Sequence, residues 1–148
     1  MALAGQPNVG KSTLFNILTG LSQRVGNWPG KTVEKKEGTF EIGSARVRVV
    51  DLPGTYSISA YSLEERVARD YLFQEQPDVV VDVLDASNIE RHLYLTVQLI
   101  EMHVPLVLAF NMSDIAKSRG FEFDIKQLEI LLGARIVPMV ASREQGID

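Results

Sequence analysis

The sequence G-Q-P-N-V-G-K-S at residues 5–12 has the G-x-x-x-x-G-K-S spacing of a phosphate-binding loop. Apolar residues 2–4 precede it and predict the end of a strand, and residues 13–21 follow with helical periodicity. The glycines let successive backbone N–H groups turn toward a phosphate, and the following helix points its positive end at the same anion. Residues 5–13 are therefore predicted to bind a nucleoside triphosphate. A glycine-containing turn that only caps a helix is the alternative.

Two side chains of this loop have predicted roles of their own. Lys11 supplies a mobile positive charge for the β- and γ-phosphates, and Ser12 supplies a hydroxyl for Mg²⁺. The predicted nucleotide contacts within the loop are Gly5, Gln6, Pro7, Asn8, Val9, Gly10, Lys11, Ser12 and Thr13.

The composition is that of a soluble globular protein of one domain. The chain has 148 residues, of which 45% are hydrophobic and 23% are charged. It contains no Cys, which excludes disulfides, thiolate metal sites and cysteine nucleophiles. The net charge of −4 argues against a nucleic-acid partner, because no basic stripe is present. No apolar run reaches the length of a membrane span, and no signal peptide is visible.

Strand and helix patterns alternate along the chain, which is typical of a mostly parallel sheet with helices on both faces. Predicted strands cover residues 2–4, 38–42, 45–51, 78–84, 105–111 and 136–140. Predicted helices cover residues 13–21, 62–73, 88–102 and 125–132, and residues 22–33 are predicted to be a loop. The expected fold is a three-layer α/β/α, Ras-like phosphate-loop domain with a six-stranded sheet and one antiparallel edge strand.

Both ends of the sequence favour a fragment of a longer protein. Only four residues precede Gly5, which is short for a central strand, and the chain stops soon after a predicted strand. We expect residues 1–148 to be one nucleotide-binding domain that lacks a further domain and a membrane part.

The sequence D-L-P-G at residues 51–54 closes a predicted strand downstream of the phosphate loop. In phosphate-loop enzymes an acidic residue here supports Mg²⁺, and a nearby glycine N–H contacts the γ-phosphate. Asp51 and Gly54 are the candidates for these two roles. An ordinary Asp-x-Pro-Gly turn is the alternative.

The sequence N-M-S-D at residues 111–114 resembles the N-K-x-D element that recognises guanine. The carboxylate of Asp114 would accept from the guanine ring N–H and amine, which discriminates strongly against adenine. Met112 replaces the usual lysine and brings packing without charge. Helix capping by Asn111 or Asp114 is the alternative. Ala141 and Ser142 weakly resemble the loop whose backbone amides meet the guanine oxygen, and a simple strand-to-loop turn is the alternative.

The loop after the first helix contains N-W-P-G-K-T at residues 27–32. Thr32 is the best candidate for a switch threonine that reaches Mg²⁺ and the γ-phosphate. A solvated loop that leads into a strand is the alternative. Packing in the core is favoured for Trp28 over an exposed partner contact.

Taken in order, these elements resemble the TRAFAC class of GTPases and, within it, the ferrous-iron transporter (FeoB) family. The segments that carry the resemblance are residues 5–12, G-N-W-P-G at 26–30, V-E-K-K-E-G at 33–38, D-L-P-G-T-Y-S at 51–57, A-R-D-Y at 68–71 and N-M-S-D at 111–114. The resemblance covers essentially the whole chain. It implies the GTPase domain at the cytoplasmic face of the inner membrane, at the amino end of an Fe²⁺ importer, and a soluble character for this fragment alone.

The resemblance also bears on the expected mechanism. Thr55 stands where Ras-like enzymes place the glutamine that orients the attacking water, so slow hydrolysis is expected. Asn8 stands where potassium-dependent members of the class bind a K⁺ ion, which would neutralise charge that develops between the phosphates. A loop asparagine that stabilises only its own turn is the alternative. The expected cofactors are GTP or GDP, Mg²⁺ and, as a further candidate, K⁺.

Other functions remain open at this stage. A ribosome- or tRNA-maturation GTPase shares Asn8, Lys11 and the D-x-x-G element, although the acidic charge and the N-W-P-G loop count against it. An ATP-using enzyme and a nucleotide sensor without turnover are two more. The expected partners are guanine nucleotide and the membrane-embedded domain of the same protein, with a homo-oligomer as a further candidate and no nucleic acid. His92 and His103 are expected to be surface histidines rather than metal ligands.

Overall fold

Seven strands form one sheet in the computed structural model, which describes residues 1–148. In chain order they are β1 (Ala2–Gly5), β2 (Gln23–Asn27), β3 (Glu34–Ile42), β4 (Ala45–Asp51), β5 (Val80–Asp85), β6 (Leu106–Asn111) and β7 (Arg135–Pro138). Their order across the sheet is β2-β3-β4-β1-β5-β6-β7. Only β3 runs against the others, since the β2–β3 and β3–β4 pairs are antiparallel and the remaining pairs are parallel.

Five helices connect or flank these strands. They are α1 (Lys11–Thr19), α2 (Leu63–Glu75), α3 (Ile89–Glu101), α4 (Ser113–Ser118) and α5 (Ile125–Leu132). None of them combines the length and the apolar character that a membrane crossing requires. The parallel strands end at one edge of the sheet, and the loops that follow β1, β4 and β6 therefore meet there.

The sheet has a buried core on each face, because successive side chains of a strand point to opposite faces. Leu3, Val49 and Val83 belong to the cluster that packs against α1. Their strand neighbours Ala2 and Val50 belong to a second cluster on the opposite face, which α2 and α3 cover. A third cluster lies on that same face beneath α4 and α5. The predicted three-layer α/β/α fold is confirmed.

The sheet has seven strands where the sequence predicted six. The additional strand is β2, within the segment predicted to be a loop, and it pairs along its whole length with β3 from Gln23↔Gly38 to Asn27↔Glu34. Four of its five residues are exposed, so no alternation of apolar and polar residues marks it. Its backbone hydrogen bonds come from the long neighbour β3, a non-local cause that periodicity does not reveal. Because β2 takes the edge, the antiparallel strand β3 lies inside the sheet.

Local signals placed several helix ends correctly. Ser62 caps α2, and its side chain accepts from the N–H of Glu65, as the capping-box pattern predicts. Helix α5 spans the predicted residues and ends at Gly133 with a left-handed φ of 63°. The short helix α4 was not predicted, since it lies in the link that follows the guanine-like motif.

Candidate functional site

The phosphate-loop motif forms the connection between β1 and α1. Gly10 has a φ of 90°, and a Cβ there would lie 2.2 Å from Nδ2 of Asn111. Only glycine fits this position, because both the backbone conformation and the contact exclude a side chain. Asn8 also has a left-handed φ of 64° and is exposed at the tip of the loop. The motif thus presents a tight loop whose N–H groups precede a helix N-terminus.

Lys11 and Asp51 form an ion pair at the base of this loop. Nζ of Lys11 also donates to the backbone oxygen of Leu52 at 2.6 Å. Both charged residues are buried, each 8% exposed. Lys11 therefore links the start of α1 to the end of β4, and its charge is shared with the carboxylate predicted to support Mg²⁺.

A cavity of about 660 Å³ lies over the phosphate loop. Its lining combines loop residues with Gly54 from one neighbouring connection and Met112 from another. A second cavity of about 260 Å³ adjoins it and is lined by Ser12 and Asp51, among others. A serine hydroxyl and a carboxylate are oxygen ligands of the kind that Mg²⁺ prefers, so the residues present fit this ion.

Gly54 packs directly against the phosphate loop. A Cβ at this position would lie 3.1 Å from the backbone nitrogen of Pro7, which is closer than side chains normally approach. The N–H of Thr55 donates to the backbone oxygen of Gly5 at 3.1 Å, and Thr55 is buried. The D-L-P-G turn therefore lies where its glycine can reach a phosphate held by residues 5–12.

Asn111 joins two loops on the other side of the cavity. Its Nδ2 donates to the oxygen of Val9 at 2.8 Å, and its Oδ1 accepts from the N–H of Ala141 at 2.9 Å. The side chain is 4% exposed and does not cap α4, so the capping alternative for Asn111 is wrong. One amide thus fixes the phosphate loop and the loop after β7 relative to each other.

The guanine-like motif and the loop after β7 lie next to each other. The Asp114 carboxylate accepts from the N–H of Ile115 at 2.9 Å and lies 3.6 Å from a guanidinium nitrogen of Arg143. The N–H of Ala141 donates to Oδ1 of Asn111, and a contact of Ala141 with a guanine oxygen stays a prediction. Ser142, the next residue, is exposed and is the better candidate for that contact.

Thr32 is not drawn into the site. Thr32 is exposed. The next two residues in the chain, Val33 and Glu34, line the smaller cavity, but Thr32 does not. Trp28 is 8% exposed, and its ring lies edge-on to Tyr71, with Nζ of Lys35 4.8 Å from the ring centroid. The prediction that Trp28 packs in the core is confirmed. Packing of Trp28 therefore anchors the start of the loop that carries Thr32.

We name the two flanks of the cavity by their central residues. The Asn111 side comprises residues 111–114 and 140–143. The Gly54 side comprises residues 28–34 and 51–62. The phosphate loop, residues 5–12, lies between them and contacts both, through Asn111 and through Thr55.

Gln6 has a role that the motif alone does not indicate. Its side chain is 4% exposed and donates through Nε2 to the backbone oxygen of Arg91 in α3. The amide of Gln6 is therefore used to hold the phosphate loop against α3. Nothing in the G-x-x-x-x-G-K-S spacing distinguishes this residue from the other variable positions.

Two buried ionisable groups lie near the site without lining its cavities. Burial raises the pKa of Asp82 to about 7, and its Oδ2 accepts from the hydroxyl of Thr96 at 2.6 Å. Burial lowers the pKa of His92, which is 7% exposed, so the expectation of a surface histidine is wrong. No group of three or more His, Cys, Asp or Glu side chains is arranged to hold a metal ion.

Comparisons with known proteins show which family the chain resembles. The family model described as ferrous iron transport protein B matches residues 1–148. The Fe(2+) transporter FeoB of Salmonella typhimurium is 49% identical over 152 residues, which cover 100% of this chain and 20% of the transporter. The chain therefore spans about a fifth of the length of the curated relatives it matches.

Solved structures give the same likeness. The FeoB G-domain from Methanococcus jannaschii is 51% identical with a TM-score of 0.87, over 99% of this chain and 88% of that one. The cytosolic domain of T. maritima FeoB in a GDP form is 45% identical with a TM-score of 0.94, over 99% of this chain and 57% of that one.

Proposed function

The chain belongs to the ferrous iron transport protein B family, and on that premise we propose that it is the GTP-binding and GTP-hydrolysing domain of a ferrous-iron transporter. The observation that carries the proposal is the bridge that Asn111 makes between the phosphate loop and the loop after β7. This bridge joins the segment that carries Asp114 to a loop that can hold phosphates. A nucleotide with its phosphates over residues 5–12 would present its base to Asp114.

The phosphates would compete with Asp51 for Lys11. In the structure Lys11 is bonded to Asp51 and Leu52. A bound triphosphate offers Lys11 stronger anionic partners, and its movement would free the Asp51 carboxylate. Mg²⁺, when bound through Ser12 and Asp51, would neutralise charge on the β- and γ-phosphates. Ser12 and Asp51 both line the smaller cavity, which supports this assignment.

The Gly54 side would bind the γ-phosphate. Gly54 packs against Pro7 of the phosphate loop, and Thr32 is exposed in a loop that can close over the site. Ordering of both segments by the γ-phosphate, and their release after hydrolysis, would make the domain a switch. We propose that this switch acts on the iron-transporting membrane domain from the cytoplasmic face.

Slow, K⁺-assisted hydrolysis is the finer part of the proposal. Thr55 is buried and its N–H is bonded to Gly5, so it offers no side chain of the usual kind to orient water. Asn8 is exposed at the tip of the phosphate loop, where it could help to hold a monovalent cation. Single-turnover hydrolysis measured in K⁺ and in Na⁺ tests this role. Equal rates would remove it.

Guanine selectivity tests the main proposal. Wild-type protein is expected to bind GDP at least about 100-fold more tightly than ADP, because adenine lacks the ring N–H and amine pair that the Asp114 carboxylate would accept from guanine. Asp114→Asn should abolish that preference, since an amide cannot accept both guanine donors. Asp124→Asn, an exposed aspartate that caps α5, is the matched control and should keep the preference. Equal affinity of the wild type for GDP and ADP would contradict the proposal.

A ribosome- or tRNA-maturation GTPase is not favoured. The family match covers the whole chain, and the net charge is −4. Self-association of the domain stays a prediction.

A further inference from the structure

The loop that follows Gly54 is tied to helix α3 by one side chain. The N–H of Ile58 donates to Oε1 of Gln98 at 2.9 Å. Ile58 is 7% exposed and belongs to the same buried cluster as Leu95 and Leu99 of α3. Gln98 therefore satisfies a backbone donor that is removed from water, in a segment with no regular secondary structure of its own.

Helix α3 also holds the phosphate loop. Gln6 donates to the oxygen of Arg91, which lies seven residues before Gln98 and so two helical turns away on the same side. The N–H of Thr55 completes the connection by donating to Gly5. Helix α3 thus connects the phosphate loop with the far end of the segment from Gly54 to Ile58.

We propose that Gln98 is a positioning residue for recognition of the γ-phosphate. It does not touch the nucleotide. It acts through Ile58, by fixing the far end of a short segment whose near end is held by Thr55, so that the N–H of Gly54 is preorganised beside the phosphate loop. This inference rests on the proposed function, since it assigns a residue that adjusts the site for GTP.

The consequence is a selective effect on the triphosphate. If Ile58 is released, the segment gains conformational freedom that γ-phosphate binding must then remove. GDP has no γ-phosphate for Gly54 to meet, so its affinity does not depend on this ordering. A variant that only destabilises the domain would instead affect both nucleotides alike.

The direction of the hydrogen bond between Ile58 and Gln98 indicates which variants test the proposal. Gln98 acts only as an acceptor toward Ile58, so Gln98→Glu keeps the acceptor and Gln98→Leu removes it at similar volume. Thr96→Val is the matched control on the same helix. It removes the buried hydrogen bond to Asp82 but leaves the loop after Gly54 in place.

The experiment measures the affinity for GDP and for a non-hydrolysable GTP analogue, together with single-turnover GTP hydrolysis. Gln98→Leu should lower analogue affinity and hydrolysis roughly tenfold, the equivalent of about 1.4 kcal/mol for one hydrogen bond, with GDP affinity within about twofold of the wild type. Gln98→Glu should keep analogue affinity and GTP hydrolysis within about threefold of the wild type. Thr96→Val should lower the melting temperature without changing the ratio of analogue to GDP affinity.

Amide exchange of residues 54–62 provides a readout without nucleotide. Faster exchange in Gln98→Leu but not in Gln98→Glu is expected. The inference is overturned if Gln98→Leu keeps the wild-type ratio of affinities, if Gln98→Glu behaves like Gln98→Leu, or if exchange in this segment is unchanged. Failure of the wild type to prefer GDP over ADP would instead count against the proposed function, while the exchange rates would still decide whether Gln98 fixes the loop.

Discussion

The Asn111 side and the Gly54 side flank one cavity but are held in different ways. On the Asn111 side, a buried side chain bonds two loops directly, and the N–H of Ser113 donates to Met139 in the strand-to-loop connection beyond β7. On the Gly54 side, the connections run through Gln98, through the N–H of Thr55, and through Lys11 bonded to Asp51 and Leu52.

This difference separates two tasks of a nucleotide site. The Asn111 side is fixed by bonds among protein groups that a nucleotide need not break, and we propose that it provides affinity and base selection. The Gly54 side contains an ion pair for which a phosphate competes, and it carries the exposed Thr32. It is the side whose arrangement can depend on which nucleotide is bound.

Asn111→Ala should have the largest effect on stability and on GDP affinity, because it disrupts the Asn111 side. It leaves the oxygen of Val9 and the N–H of Ala141 buried without partners, at about 1–3 kcal/mol each. We expect the free energy of unfolding to fall by about 2–6 kcal/mol and GDP affinity to fall by at least about 100-fold. Denaturant unfolding and GDP titration measure the two effects. Asn88→Ala, which changes an exposed asparagine, is the control. If Asn111→Ala kept a GDP affinity within about threefold of the wild type, the proposed role of the Asn111 side would be contradicted.

Lys11→Met should have the next largest effect and would act at the junction of the two sides. The variant loses a charge-assisted contact to phosphates worth about 1.5–3 kcal/mol. GTP affinity should therefore fall by roughly 10- to 150-fold, and hydrolysis should no longer be measurable. Isothermal titration and single-turnover assays check this, with the exposed Lys126→Met as the control. Unimpaired hydrolysis in Lys11→Met would show that the phosphates bind elsewhere.

Thr32→Ala should have a smaller effect that is confined to the Gly54 side. Because Thr32 is exposed, the free energy of unfolding should change by less than about 0.5 kcal/mol. Hydrolysis should fall roughly tenfold while GDP affinity stays within about twofold, because Thr32 is proposed to act only on the γ-phosphate. Thr39→Ala, in β3, should change neither quantity. Loss of GDP affinity in Thr32→Ala would mean that this loop contributes to nucleotide binding without the γ-phosphate, as the Asn111 side is proposed to do.

Asp82→Asn should have the smallest effect on nucleotide binding, because Asp82 lies beneath the site and belongs to neither side. Burial raises its pKa to about 7, so between about pH 4 and 7 the folded protein holds a proton that the unfolded chain has released. The contribution of Asp82 to the stability of the wild type therefore falls as pH rises through this range, by at most about 1.4 kcal/mol per pH unit. Asp82→Asn should lack that fall and become the more stable protein above pH 7. Parallel stability curves for the two proteins would contradict the raised pKa, and the exposed Asp78→Asn is the control.

The sequence predicted the elements whose causes are local. The phosphate loop, the D-L-P-G turn, the cap at Ser62 and the end of α5 at Gly133 all depend on residues within a few positions of each other. Strand β2 and the burial of His92 were not predicted, because both depend on neighbours that are distant along the chain.

The site was predicted in composition but not in arrangement. The motifs indicated Asn111 and Ala141 as nucleotide contacts but did not indicate that the two residues also join loops. The side-chain roles of Gln6 and Gln98 could not be predicted, since their partners are backbone groups of Arg91 and Ile58 on other elements.

Amide hydrogen exchange with two nucleotides tests the central claim, that one side is fixed and the other responds to the γ-phosphate. The protein is compared with GDP and with Mg²⁺ and a non-hydrolysable GTP analogue. We expect both nucleotides to protect residues 106–116 and 138–143 equally, and only the analogue to slow exchange in residues 28–36 and 54–62. Equal exchange of residues 28–36 and 54–62 with the two nucleotides would contradict the account.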